Sequence, residues 1–128
     1  MPVRTILVVD DDPDIRRILS LSLERIGGYR VWLADGAAPA IELATKAVPD
    51  LVLLDVSMPG ADGPATLAAL RENAACARVP VIFLTAISGE DEIAHLRTLG
   101  AVDVISKPFD IVGLPTRLRD IFSRVGVD

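Results

Sequence analysis

The feature that most limits the fold is a rhythm of short apolar runs rich in Val, Ile and Leu: "TILVV" (5–9), "YRVWLA" (29–34), "DLVLL" (50–54), "VPVIFL" (79–84) and "VDVIS" (102–106). The first, third and fourth are continuously apolar, as strands covered on both faces should be. Segments with helical spacing fill the gaps. After Pro13, the residues Ile15, Ile18, Leu19, Leu23 and Ile26 fall on one stripe that Gly27 and Gly28 end. Near the C-terminus Ile111, Leu114, Leu118, Ile121, Phe122 and Val125 repeat the pattern, with Pro115 admissible only in a first turn. Residues 37–47, 64–73 and 90–99 predict three further helices, with Pro64 at a start and Gly100 at an end. Regular alternation of strand and helix predicts an α/β domain, with five parallel strands joined by right-handed crossovers and helices on both faces.

Composition narrows the function classes. The 128 residues fit one domain, able to bury roughly two thirds of the surface its unfolded chain exposes. Thirteen Lys and Arg against 18 Asp and Glu give a net charge of −5, which repels phosphate backbones and anionic lipid, so direct nucleic-acid binding is not expected. Cys76 is the only cysteine; it forbids an internal disulfide, reads as a small hydrophobe on a helix face and fits a reducing cytoplasm. No targeting segment opens the chain, and no apolar run approaches the roughly 18 residues of a membrane helix.

In parallel α/β sheets, sites form at the carboxyl ends of strands, near the point where strand order reverses. Here those ends carry Asp10, Asp11 and Asp12 after the first run, Asp55 after the third, Thr85 after the fourth and Lys107 after the fifth. Carboxylates so close together force a pKa upward unless a cation shares the site. Mg²⁺ suits the set, because it accepts one or two carboxylates and keeps room for water and phosphate oxygens. Asp55 precedes "VSMPGADG", a Pro- and Gly-containing loop that leaves its carboxylate on a strand tip. A carboxylate there can attack phosphorus and form an acyl phosphate, with Thr85 and Lys107 supplying a hydroxyl and an ammonium to the transferring oxygens.

The segments "ILVVDDDPDI", "DLVLLDVSMPGADG", "PVIFLTA" and "ISKPF" together resemble the receiver (CheY-like) domain of bacterial two-component response regulators, from about residue 4 to the C-terminus. The resemblance implies a flavodoxin-like (βα)5 sandwich, its five-stranded parallel sheet in the order 2-1-3-4-5. It implies that Asp11 ligates Mg²⁺ directly, that Asp10 acts mainly through water, and that Asp55 is both phosphoacceptor and ligand, with the Ser57 backbone carbonyl completing the protein's share. Thr85 would be the switch hydroxyl, and Lys107, before a cis peptide bond to Pro108, would pair with the phosphoryl group. The implied donor is a sensor histidine kinase or histidine phosphotransfer protein. The implied output is a downstream protein or a missing effector domain, or a homodimer, through the fourth helix, fifth strand and fifth helix. Asp12 has no such role and is expected to cap the first helix beside Pro13. Three positions, Val104, Ser57 and Ile87, depart from the common pattern. Val104 stands where many receivers carry a Tyr or Phe that turns inward on phosphorylation. Ile87 flanks, with Ser57, the path of a hydrolytic water that it cannot orient, so a slow loss of phosphoryl is expected.

Taken singly these residues have plainer readings. An acidic triplet can be a turn and helix cap, Thr85 a strand former, Lys107 a surface charge, and Arg16 and Arg17 a solvated helix face. The lone His95, with no second His or Cys, makes no transition-metal site. Residues 1–128 read as a single receiver with no effector domain in the chain, a signalling module rather than an enzyme. The competing functions are a receiver-like interaction module that is never phosphorylated, and a small phosphatase using the Asp-x-Asp of "VVDDDP" as nucleophile and acid. A Rossmann nucleotide site lacks its Gly-rich turn after the first strand.

Overall fold

The computed structural model describes residues 4–58, 60, 62–86 and 89–126; Ile87, the position tied above to phosphoryl loss, lies outside them. In chain order the elements are β1 (Thr5–Val9), α1 (Pro13–Ser20), β2 (Arg30–Ala34), α2 (Ala37–Lys46), β3 (Leu51–Asp55), α3 (Gly63–Glu72), β4 (Val81–Thr85), α4 (Glu90–Thr98), β5 (Asp103–Ser106) and α5 (Leu114–Arg124). The strands form one parallel sheet in the order β2-β1-β3-β4-β5, as the resemblance implies. Strand order therefore reverses between β1 and β3, which puts the ends of those two strands at the switch point.

The unbroken apolar runs are explained by the two cores. Leu7 and Val9 of β1, Leu54 of β3 and Phe83 of β4 face Ala40, Ala44, Leu67 and Leu70 of α2 and α3. Their sequence neighbours Ile6, Val8, Leu53, Ile82 and Leu84 face Leu19, Leu118, Ile121 and Phe122 of α1 and α5. Successive strand residues point to opposite faces, so a strand with helices above and below needs an apolar side chain at every position. Edge strand β2 is covered less completely, and only Ala34 in it is fully buried.

Two local features depart from the sequence pattern. After Ser20 the first helix runs on as a π-helical stretch, Leu21–Ile26, in which Gly27 N–H donates to the Ser22 carbonyl at 3.1 Å. The wider turn carries Ile26 off the apolar stripe, leaving it 50% exposed while Leu19 and Leu23 stay buried. Gly27 itself is held in close packing, since a Cβ there would stand 2.9 Å from Cβ of Pro115 in α5. The last helix begins at Leu114, not near Ile111, because Pro115 belongs at its first or second position and Asp110 Oδ1 caps a separate turn at Val112 N–H, 3.1 Å away. Cys76 lies in a one-turn helix, Ala74–Cys76, behind α3; it is buried, and burial pushes its thiol pKa up. Among the described residues no helix is long and apolar enough to cross a membrane.

Candidate functional site at the carboxyl edge of the sheet

Strands β1 and β3 lie side by side, so Asp10, one residue past β1, and Asp55, the last of β3, come out at the same edge. Asp10 is fully buried and Asp55 is 5% exposed. Asp11 turns outward on the loop, yet one carboxylate oxygen from each of Asp10, Asp11 and Asp55 lies within 4.8 Å of the others. Hard oxygen donors at that spacing fit a small divalent cation such as Mg²⁺, and among the described residues this is the only such acidic group. His95 is exposed on α4 and takes no part in it.

Lys107 comes from the opposite side. Its N–H donates to the Thr85 carbonyl at 2.8 Å, which ties the end of β5 to the end of β4, and its peptide bond to Pro108 is cis. From there Nζ donates to Asp10 Oδ2 at 2.9 Å and to Asp55 Oδ1 at 3.3 Å. Thr85, 1% exposed, is the last residue of β4 and stands on the strand next to Asp55. Ser57 N–H approaches Asp55 Oδ1 at 3.4 Å, so the loop after β3 folds back over the carboxylate it follows.

Two buried carboxylates share one ammonium, and the titration behaviour reflects it. Burial pushes the Asp55 pKa up and the charge of Asp10 adds to this, while Lys107 and the Ser57 amide oppose them. Burial pulls the Lys107 pKa down, but the hydrogen bond and charge of Asp10, then those of Asp55, outweigh it and leave the ammonium more firmly protonated than usual. The cluster therefore carries an excess of negative potential at its open side, beside Asp11.

The flanking segments hold this geometry. Asp12 caps α1, its Oδ1 accepting from Asp14 N–H at 2.9 Å next to Pro13, as expected for a residue outside the cation site. Asp62 caps α3 through Ala65 N–H at 2.9 Å, and Gly63 N–H donates to the Val56 carbonyl at 2.8 Å. A Cβ on Gly63 would meet the Asp55 carbonyl oxygen at 2.6 Å and Val56 Cα at 2.8 Å, so only glycine lets α3 start this close to the end of β3.

Two arrangements were not legible from the sequence. Arg16 is not part of a solvated face: it is half-buried and its Nη1 donates to the Asp10 carbonyl at 2.7 Å, whereas Arg17 is exposed beside Asp14. Asp103, at the start of β5 and 7% exposed, gathers Arg97 of α4 at 3.1 Å and Arg117 and Arg124 of α5 at 3.2 and 3.8 Å. Its signal was an aspartate inside an apolar run with arginines on the two helices that flank it. Val104 follows, 5% exposed, on the wall of an open groove of about 510 Å³ between α4 and α5 whose other lining includes Ile93, Phe109 and Leu114.

Known proteins share this sequence pattern and fold. A family profile for the response regulator receiver domain matches residues 6–119. The chain is 35% identical to the phosphate regulon transcriptional regulatory protein PhoB of Pseudomonas aeruginosa, over 96% of this chain and 53% of that protein. It is 41% identical to the probable transcriptional regulatory protein TcrX of Mycobacterium tuberculosis, over 96% of this chain and 51% of that protein. The chain spans about half the length of these curated relatives. Among solved structures, the chemotaxis protein CheY4 of Vibrio cholerae matches with a TM-score of 0.83 at 29% identity, covering 97% of this chain and 99% of that one. The receiver domain of the Francisella response regulator 1452 matches with a TM-score of 0.85 at 28% identity, covering 94% and 98%.

Proposed function

The chain belongs to the response regulator receiver domain family of two-component signalling, and on that footing we propose that Asp55 is the residue that accepts the phosphoryl group. The observation that carries this is the meeting of Asp10, Asp11 and Asp55 oxygens within 4.8 Å, with Lys107 bridging two of them. Asp11 and Asp55 would hold Mg²⁺ directly, helped by the Ser57 carbonyl, with Asp10 acting mainly through water. Mg²⁺, when bound, supplies positive charge to the phosphoryl oxygens during transfer.

The remaining steps fall to the chain's own residues. An oxygen of Asp55 donates a lone pair to phosphorus as the P–N bond of a donor phosphohistidine breaks, its electron pair staying on the leaving imidazole nitrogen. The donor is a histidine kinase or a phosphotransfer protein. Burial at a strand end fixes the Asp55 carboxylate and keeps its pKa raised, which makes it a stronger nucleophile than an ordinary carboxylate once ionised. Lys107 already touches Asp55, so its ammonium needs only a side-chain rotation to reach a new phosphoryl oxygen. Thr85, on the neighbouring strand end, is the hydroxyl for a second oxygen.

Output runs through α4, β5 and α5, where Thr85 and Lys107 adjoin the elements that line the groove beside Val104. With valine in that place the change does not pass by an aromatic rotamer. A downstream protein, an effector domain or a second copy of this chain docks there. Acetyl phosphate with Mg²⁺ should add one phosphoryl group to the intact protein, and Asp55→Asn should abolish the addition. Undiminished labelling of Asp55→Asn would refute the assignment.

A further inference from the structure

Every hydrogen-bonding group of Asp10 has at least one partner within the protein. Its N–H donates to the Ala34 carbonyl at 3.1 Å, its Oδ1 accepts from Asp12 N–H at 3.0 Å and its Oδ2 accepts from Lys107 at 2.9 Å. The fourth group, the main-chain carbonyl, accepts from Arg16 Nη1 at 2.7 Å. The first three partners belong to the sheet, the loop and the site. The fourth is a side chain of α1 that reaches back, across the loop its own helix follows, to the residue at which that loop leaves the sheet. Arg16 N–H also donates to the Asp12 carbonyl at 3.1 Å, so one residue grips the segment Asp10–Asp12 at both ends.

Asp11 lies in the middle of that segment. It is exposed, so the course of the backbone on either side decides where its carboxylate points. We infer that Arg16 is a positioning residue for the cation site: by holding the Asp10 carbonyl it sets the turn that delivers the Asp11 carboxylate beside those of Asp10 and Asp55. The inference rests on the proposed function, since it presumes that the acidic group takes Mg²⁺.

The sign of its effect separates it from a plain charge effect. Arg16 is a cation, and by charge alone its removal draws a divalent ion in more tightly. If Arg16 instead organises the ligands, its removal loosens the ion, as loss of a group that orients metal ligands commonly does.

The experiment is calorimetric titration of the metal-free protein with MgCl₂, for wild type, Arg16→Gln, Arg16→Lys and Arg17→Gln, with circular dichroism to verify folding. Arg17→Gln removes the same charge from the adjacent exposed position. Arg16→Gln should bind Mg²⁺ about tenfold more weakly, Arg16→Lys should fall between it and wild type, and Arg17→Gln should bind no more weakly than wild type. In acetyl phosphate labelling, the Mg²⁺ concentration for half-maximal rate should rise in Arg16→Gln while the rate at saturating Mg²⁺ stays within about twofold, since the reacting groups are untouched. Unchanged or tighter binding by Arg16→Gln overturns the inference and leaves the proposed function standing. A wild type that binds no Mg²⁺ overturns both. Should Arg16→Gln not fold, Arg16→Lys carries the test, and wild-type affinity in it together with an unchanged Mg²⁺ requirement overturns the inference.

Discussion

Lys107 Nζ lies 2.9 Å from Asp10 Oδ2, and this contact, spanning 97 residues of sequence, ties the end of β5 to the end of β1 across the switch point of the sheet. The same ammonium reaches Asp55 Oδ1 at 3.3 Å. One cation thus balances two buried carboxylates and holds this edge of the sheet together.

Removing that ammonium should be costly only in the absence of metal. In Lys107→Ala two buried carboxylates face each other unpaired, a situation that destabilises by about 2 to 3 kcal/mol once partial protonation relieves it. Urea unfolding in EDTA should show this loss, and Mg²⁺ should restore a larger share of stability to the variant than to wild type. Equal loss with and without Mg²⁺ would mean that Lys107 is not the resting counter-ion.

Asp55→Asn should stabilise the metal-free protein at neutral pH. Burial, then Asp10, raise the Asp55 pKa, so the folded state holds that proton more tightly than the unfolded state does. Stability is therefore lost as pH rises from the ordinary carboxyl range through the raised pKa, and none of this loss remains in acid. The melting-temperature difference between Asp55→Asn and wild type should be near zero at low pH and grow in favour of the variant as pH rises. A difference that is constant with pH would contradict the assigned cause.

Gly63→Ala tests how tightly the acceptor strand is held. In an ordinary helix the change favours folding, but here the new Cβ meets main-chain atoms of Asp55 and Val56 at 2.6 and 2.8 Å. Overpacking against backbone should cost about 2 kcal/mol and slow acetyl phosphate labelling, while Gly60, where nothing stands within 4 Å of a Cβ, provides the contrast. At Gly60 the penalty comes from its positive φ of 86° alone and should leave the labelling rate near that of wild type.

Asp103 should matter more than any one of its arginines. Asp103→Ala removes the shared acceptor of three largely solvent-exposed arginines and of the Val104 N–H, and should cost about 1 to 3 kcal/mol. Arg124→Ala, which removes the longest contact at 3.8 Å from a side chain 62% exposed, should cost well under 1 kcal/mol. Chemical denaturation of the two variants checks the ratio, and equal losses would mean that the arginines are not held by Asp103.

Much of this architecture was legible in the residues, and what was not has a physical reason. Strand ends could be read because a doubly covered strand must be apolar throughout, so the first polar residue after it marks the sheet edge: Asp10, Asp55 as the terminal residue of β3, and Thr85 follow from that rule, while Lys107 follows only from the end of the fifth run, which carries polar residues of its own. The π-helical stretch after Ser20 left no trace, because it changes how the backbone winds and not which residues are apolar; only the outward turn of Ile26 reveals it. Arg16 and Arg17 look alike in sequence, and their fates diverge because one points back toward the loop and the other toward water. Asp103 was hidden by its neighbours, since a strand pattern of "VDVIS" registers the valines and the isoleucine, while its arginine partners lie on helices before and after it.

The central claim, that Asp55 is the atom-accepting residue of the acidic cluster, is tested most directly by trapping the product. The protein is treated with acetyl phosphate and Mg²⁺, reduced with borohydride, which converts an aspartyl phosphate to homoserine, and its peptides are sequenced by mass spectrometry. Homoserine at position 55, formed only when Mg²⁺ is present, is the predicted result. Homoserine at position 10 or 11, or conversion at 55 that is indifferent to Mg²⁺, would contradict it.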